Sequence, residues 1–209
     1  MTRFAFLVLV GLLFRAAPSA SADATDPLSE SYKLQTANDT AGAVKAMRRA
    51  VEATPNTYFL RLRLAYLSSL VGDYAGAADA YRTAAKLAPA AIEPLLGQQL
   101  ALVTLGRWED AETVAKQILA IDPTSYLARS RLAWTRYKRK DFRGAAELYA
   151  ALLVLYPGDI DMRLGLGWSM LGLGRRDDAT AAFHEVLTMV PKQSGATEGV
   201  AAAAKLTAP

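Results

Sequence analysis

A proline returns every 34 residues along this chain, at Pro55, Pro89, Pro123, Pro157 and Pro191. An alanine keeps the same step at Ala43, Ala77, Ala111, Ala145 and Ala179. Glycine keeps it at Gly72, Gly106 and Gly174, with Asn38 and Lys140 in register between them. A fixed period of this length means copies of one supersecondary unit that cannot bury its apolar face alone, so the copies must stack. Within each copy apolar and small residues recur three and four apart, the helical period. Glycine at position 15 lets a first helix stop in left-handed geometry. Proline at position 32 ends a second helix, because the residue before it is pushed out of helical geometry. Five units, beginning at Ala24, Tyr58, Ile92, Tyr126 and Ile160, fill the chain to Gln193. Alanine at position 20 is expected where the two helices of a unit cross, since a larger side chain there would force them apart.

Composition narrows the function classes. The chain is 52% hydrophobic and 21% charged, which excludes a disordered polymer. Cysteine is absent, so disulfides, thiolate metal sites, a cysteine nucleophile and a lipid-modified N-terminal cysteine are excluded. His184 is the single histidine, too few for a histidine-based metal site within one chain. No serine and carboxylate partners are apparent for it. Gly165-Leu166-Gly167 lies inside a helical pattern and not after a strand, so it is no phosphate loop. The acid pairs Glu109-Asp110 and Asp177-Asp178 open second helices, where carboxylates complement the helix dipole. No enzyme, cofactor or metal centre is expected.

Residues 1–22 read as a signal peptide. Arg3 supplies the positive start, Phe4–Phe14 an apolar run, and Ala20-Ser21-Ala22 a small-residue cleavage site. The apolar run is too short to span a bilayer, which needs about 20 residues. Export and no stable membrane span after cleavage are therefore expected, with a periplasmic or secreted location. The net charge is +4; losing Arg3 and Arg15 leaves +2, too mild to argue for nucleic acid.

The repeat resembles the tetratricopeptide repeat family. The residues that carry the resemblance are a small residue at position 8 (Ala65, Ala133, Gly167), alanine at 20, an aromatic at 24 (Tyr81, Tyr149, Phe183), small or aliphatic residues at 27 (Ala50, Ala84, Ile118, Leu152, Val186) and proline at 32. The resemblance implies an all-α helical-hairpin solenoid, a right-handed superhelix whose first helices line a concave, partner-binding face. Departures are arginine at position 4 (Arg61, Arg129, Arg163), where the family often has tryptophan, and Gln98 and Gln99 at positions 7 and 8 of unit three, with Ala115 at position 24. Unit one is degenerate, and residues 194–209 read as a C-terminal capping helix and tail.

By the geometry the resemblance implies, positions 2, 5, 6, 9, 12 and 13 look into the concave face. Position 9 reads Tyr32, Tyr66, Leu100, Trp134 and Trp168, with Phe59 at position 2 and Tyr137 at position 12 beside it. Either these rings anchor a partner in a groove, or they are core between units. Position 6 alternates as Arg63, Gly97, Arg131 and Gly165, a 68-residue period laid over the shorter one. Either the glycines open space beside arginines that hold an acidic group, or the alternation records a duplicated pair of units. A basic run in unit four (Arg129, Arg131, Arg136, Lys138, Arg139, Lys140, Arg143) is either a steering surface for an anionic partner or a solvated edge.

Together these features predict an exported binding scaffold without chemistry of its own. Its candidate contact residues are Tyr32, Phe59, Arg63, Tyr66, Arg131, Trp134, Tyr137, Lys138 and Trp168. The expected partner is a protein or an acidic peptide within a periplasmic or envelope assembly. The alternatives are an anionic polysaccharide guided during export and a purely structural role.

Overall fold

The computed structural model describes residues 26–205, so the expected signal peptide at residues 1–22 lies outside the described residues. Eleven helices follow one another, with no strand among the described residues: α1 (Pro27–Thr36), α2 (Thr40–Ala53), α3 (Tyr58–Leu70), α4 (Tyr74–Leu87), α5 (Glu93–Thr104), α6 (Trp108–Ile121), α7 (Tyr126–Lys138), α8 (Phe142–Leu155), α9 (Ile160–Gly172), α10 (Arg176–Met189) and α11 (Ser194–Lys205). Each helix packs on its neighbours in sequence, and further contacts join α3 to α5, α5 to α7, α7 to α9 and α9 to α11. Those four pairs are all first helices. They touch across unit boundaries while the second helices splay apart, so the first helices line the inner, concave side of the solenoid.

The turn inside each unit is set by one residue. Asn38, Gly72, Gly106, Lys140 and Gly174 all have φ between 62° and 78°, the left-handed region where glycine is the unstrained choice. The next residue then closes the helix end backwards: the N–H groups of Asp39, Asp73, Arg107, Asp141 and Arg175 donate to the carbonyls of Leu34, Ser68, Leu102, Arg136 and Met170 at 2.8–2.9 Å. Position 15 therefore keeps its conformation even where lysine or asparagine replaces glycine.

The following cap comes in two forms. In units one, two and four an aspartate caps the second helix: the Asp39, Asp73 and Asp141 carboxylates accept from the N–H groups of Gly42, Gly76 and Gly144 at 2.8–3.0 Å. In units three and five an arginine stands there and the acid moves three residues on, Arg107 bonding Asp110 at 2.8 Å and Arg175 bonding Asp178 at 2.7 Å. Both forms leave a carboxylate beside the positive helix end.

Packing explains the alanine ladder and the glycine alternation. Ala43, Ala77, Ala111, Ala145 and Ala179 have no exposed surface at all, as helices crossing at position 20 require. The volume a side chain would take at Gly97 or Gly165 is filled by a ring of the unit before: a Cβ on either would lie 2.4 Å from the ring of Tyr81 or Tyr149, respectively, and Gly165 also lines a cleft described below. Each ring belongs to position 24 of the unit before. Phe183 meets Gly199 of α11 in the same way, also at 2.4 Å. Where position 24 holds Met47 or Ala115 instead, the next unit carries Arg63 or Arg131. The alternation is thus a size match across unit boundaries.

The departures in unit three and at position 4 also have structural reasons. Gln99 is fully buried and donates through Nε2 to the Ala128 carbonyl at 3.2 Å. It is large where Ala65 and Ala133 are small, and Ala115 is small where Tyr81 and Tyr149 are large. Arg61 donates to the Pro55 carbonyl at 2.9 Å, and Arg163 reaches the Pro157 carbonyl in the same manner. These arginines tie a first helix to the end of the preceding unit.

Candidate functional site

The position-9 side chains divide into four exposed ones and one half-buried. Tyr32, Tyr66, Leu100 and Trp134 are 42–47% exposed, far more than core residues of their size. Trp168 is half-buried and meets Phe183 edge-to-face, with centroids 5.3 Å apart. The rungs sit on α1, α3, α5, α7 and α9, the helices that line the concave side. Phe59, Tyr66 and Leu70 form one exposed stripe along α3 because seven and eleven residues return to the same helix face.

Arg63 does not stand free in this face. It is only 9% exposed; its Nε donates to Ser31 Oγ at 2.9 Å and its Nη2 to Gln35 Oε1 at 3.2 Å. Its guanidinium carbon lies 3.4 Å from the centre of the Tyr32 ring. The guanidinium knits α3 to α1 through two of its five N–H groups, and its burial leaves little of it open to a partner. Tyr32 is covered on that face for the same reason.

Five of the remaining predicted residues converge in the C-terminal half. Arg131, Trp134, Tyr137, Lys138 and Trp168 line a cleft of about 660 Å³ between α7, α9 and α11. Trp134 and Tyr137 stack with centroids 5.6 Å apart, and Tyr137 meets Phe142 edge-to-face at 5.5 Å. The Lys138 ammonium lies 5.3 Å from the Trp134 ring and 5.8 Å from that of Trp108, within cation–π range. Arg131 donates to the Leu96 carbonyl at 2.8 Å, and burial holds its pKa below the ordinary value. Burial likewise pushes the Tyr137 phenol upward.

The basic run of unit four is largely neutralised on its turn side. Arg139 pairs with Glu112 and, at 3.1 Å, with Glu109; Arg136 approaches Glu112 at 4.0 Å and Asp141 at 3.8 Å. Desolvation would raise the pKa of Glu112, but the Lys116 hydrogen bond and the charges of Lys116, Arg139 and Arg136 outweigh it and hold the carboxyl below its usual value. That edge is therefore an internal charge network between α6 and α7, and only Arg131 and Lys138 of the run reach the cleft.

Sequence reasoning missed three polar groups of this cleft. Tyr149, Asp161 and Glu198 line it as well. Tyr149 was placed only as a repeat residue, and Glu198 lies on a helix expected merely to cap. A signal was available: an aromatic at position 24 is followed sixteen residues later by glycine at Tyr81–Gly97, Tyr149–Gly165 and Phe183–Gly199. The third pair puts α11 in register as the first helix of a sixth unit, with Gly195 and Glu198 at groove-facing positions 2 and 5. A second groove of about 660 Å³ opens between the splayed α4 and α6, over Leu95, Gln98 and Leu102 of α5; it contains none of the predicted residues.

Comparison with known proteins agrees with this architecture. No curated protein matches the chain. Among solved structures, the crystal structure of MamA superposes with a TM-score of 0.72 at 21% identity, covering 79% of this chain and 91% of that one. A tetratricopeptide repeat protein from Parabacteroides merdae gives 0.76 at 19% identity, covering 85% and 70%. YrrB, described as a TPR protein with an unusual peptide-binding site, gives 0.72 at 15% identity, covering 82% and 89%. A model of the tetratricopeptide repeat matches residues 30–92 and 96–160, more than half of the sequence. The 34-residue period, the stacked hairpins and that match agree, and the chain belongs to the tetratricopeptide repeat family.

Proposed function

We propose that this protein is an exported adaptor that holds a peptide segment of a partner protein in its concave face. The observation that carries the reading is the row of position-9 side chains, four of them more than two-fifths exposed on helices whose other faces are packed. Large amphipathic rings left half in water at one geometric position are the residues that dominate peptide and protein recognition. The described residues contain no group of His, Asp and Glu able to hold a metal ion, and no helix among them is long and apolar enough to cross a membrane. Export rests on the apolar N-terminal segment and its small-residue cleavage site. A bacterial periplasmic or envelope assembly is the setting that fits both an exported chain and the absence of cysteine.

The test is photo-crosslinking in intact cells with a reactive amino acid at position 66 or 134, and at the exposed Lys45 of α2, which lines neither groove, as a control. Specific capture of a protein from the two concave positions and not from the control supports the reading. If neither concave probe captures protein and tryptophan fluorescence responds to an anionic oligosaccharide, a polysaccharide-guiding role replaces it. If Tyr66→Ala and Trp134→Ala mainly lower the melting temperature, the rings are structural and the reading fails.

A further inference from the structure

Arg131, Lys138, Asp161 and Glu198 all line the cleft between α7, α9 and α11. None of them takes part in an ion pair among the described residues. The signs are segregated. Both cations come from α7, and the carboxylates come from α9 and α11. Between them lies an aromatic floor of Trp134, Tyr137 and Trp168, into which Tyr149 opens. Tyr149 is only 3% exposed, and its ring is pinned beneath Gly165. Burial first, and then the neighbouring Tyr137 phenol, push its pKa upward.

This arrangement is not inherited from the paired units alone. One block earlier, the positions of Lys138, Asp161 and Glu198 hold Leu70, Glu93 and Ser130. The position of Arg131 holds Arg63, whose guanidinium is occupied by Ser31 and Gln35. Only the second block presents unpaired charges of both signs around aromatic rings.

A ligand of uniform negative charge would meet Asp161 and Glu198, and one of uniform positive charge would meet Arg131 and Lys138. Like charges brought together in a desolvating site oppose binding. We propose that the cleft binds a peptide segment carrying an acidic and a basic side chain in short succession, the acid against Arg131 and Lys138 and the base against Asp161 and Glu198. The inference rests on the peptide-binding reading above and narrows it. Packed helices such as α7 and α9 have axes roughly 8–10 Å apart, a span that about three residues of extended chain cover. The Tyr149 hydroxyl supplies one hydrogen bond to the peptide backbone at the floor, and Trp168 offers a face to the basic side chain. The charge segregation also fixes the direction in which the segment lies.

The experiment measures fluorescence anisotropy of labelled alanine-glycine host peptides with the chain from Asp23 onward. One peptide carries Glu and Arg three residues apart, and the controls carry two Glu, two Arg or two Gln. The mixed peptide is expected to bind about tenfold more tightly than either single-sign control, as two partly exposed ion pairs allow. The doubly substituted protein, Lys138→Glu with Glu198→Lys, is expected to lose that preference, because each side of the cleft then carries one charge of each sign. Both substituted side chains are exposed, and an unchanged thermal melt confirms that the fold is kept. Equal binding of all four peptides, abolished by Trp134→Ala, would overturn the charge inference while leaving the peptide-binding reading intact. No binding of any peptide while the concave probes still capture a protein also overturns it. Quenching of tryptophan by a neutral oligosaccharide with no peptide bound would remove both.

Discussion

Tyr81 and Tyr149 stand 68 residues apart, hold the same position in their units, and fill the volume that a Cβ on Gly97 or Gly165 would need. Their surroundings differ. The face of the block that holds Tyr81 is an apolar stripe of Phe59, Tyr66 and Leu70. Tyr149 opens into a cleft with charges of both signs. The arginines differ in the same sense: Arg63 is locked by α1, while Arg131 spends one bond on the Leu96 carbonyl. The backbone and its packing are common to both blocks, and positions 5, 9, 12 and 13 set what each block can hold. A repeat scaffold in this way separates the residues that build it from those that read a partner.

The largest effect should come from breaking the size match. Gly97→Arg alone is expected to destabilise by about 3 kcal/mol, since a side chain must enter the volume of the Tyr81 ring. Adding Tyr81→Ala recreates the combination found at Ala115 and Arg131, and should recover at least about 1.5 kcal/mol of coupling in a double-mutant cycle read by urea unfolding. Next come the two arginines. Arg63→Ala should cost about 2 kcal/mol, because it removes a buried charge-assisted bond set and leaves Ser31 and Gln35 unpartnered. Arg131→Ala should cost less than about 1 kcal/mol in stability yet weaken peptide binding. Equal costs at both sites would erase the distinction between the two blocks.

A pH experiment sharpens the same contrast at α6. The Glu112 pKa is lowered in the folded chain, so its contribution to stability is fully present above its unfolded value near 4.5 and is lost as pH falls through the lower folded value. Glu112→Gln should therefore lower the urea midpoint at neutral and alkaline pH and flatten its fall below about pH 4.5. A gain in place of a loss is expected at the turn: Lys140 holds a left-handed φ of 64°, and Lys140→Gly should stabilise by about 1 kcal/mol by removing that strain. The same substitution at Asn38 should give less, since asparagine tolerates this region.

Much of the fold was readable because its rules are local or periodic. Proline at 32, alanine at 20 and glycine at 15 each act within one hairpin, so a single 34-residue step exposes them. Even Lys140 could be placed, since register and not residue type fixed its role. What escaped were pairings across unit boundaries. The reason for Gly97 lies in Tyr81, sixteen residues back, and the fate of Arg63 lies in Ser31 and Gln35 of α1. Periodicity shows that such positions vary, and only packing shows what they vary against. The cleft was half legible: its aromatics and cations followed from position 9 and the basic run. Asp161 and Glu198 did not, because acids near a helix start read first as dipole partners and α11 read as a lid.

The ring-and-glycine match also acts as a rule of succession. A unit ending in Tyr81 or Tyr149 accepts only a follower with glycine at its sixth position, and a unit with Ala115 leaves room for arginine. Excising unit three alone would set Tyr81 against Arg131, and excising unit four alone would leave Ala115 facing Gly165 across a void. Removing both restores Tyr81 to Gly165 without a mismatch. Units three and four can therefore be lost together but not singly, whereas unit five could leave alone, since Tyr149 would then meet Gly199.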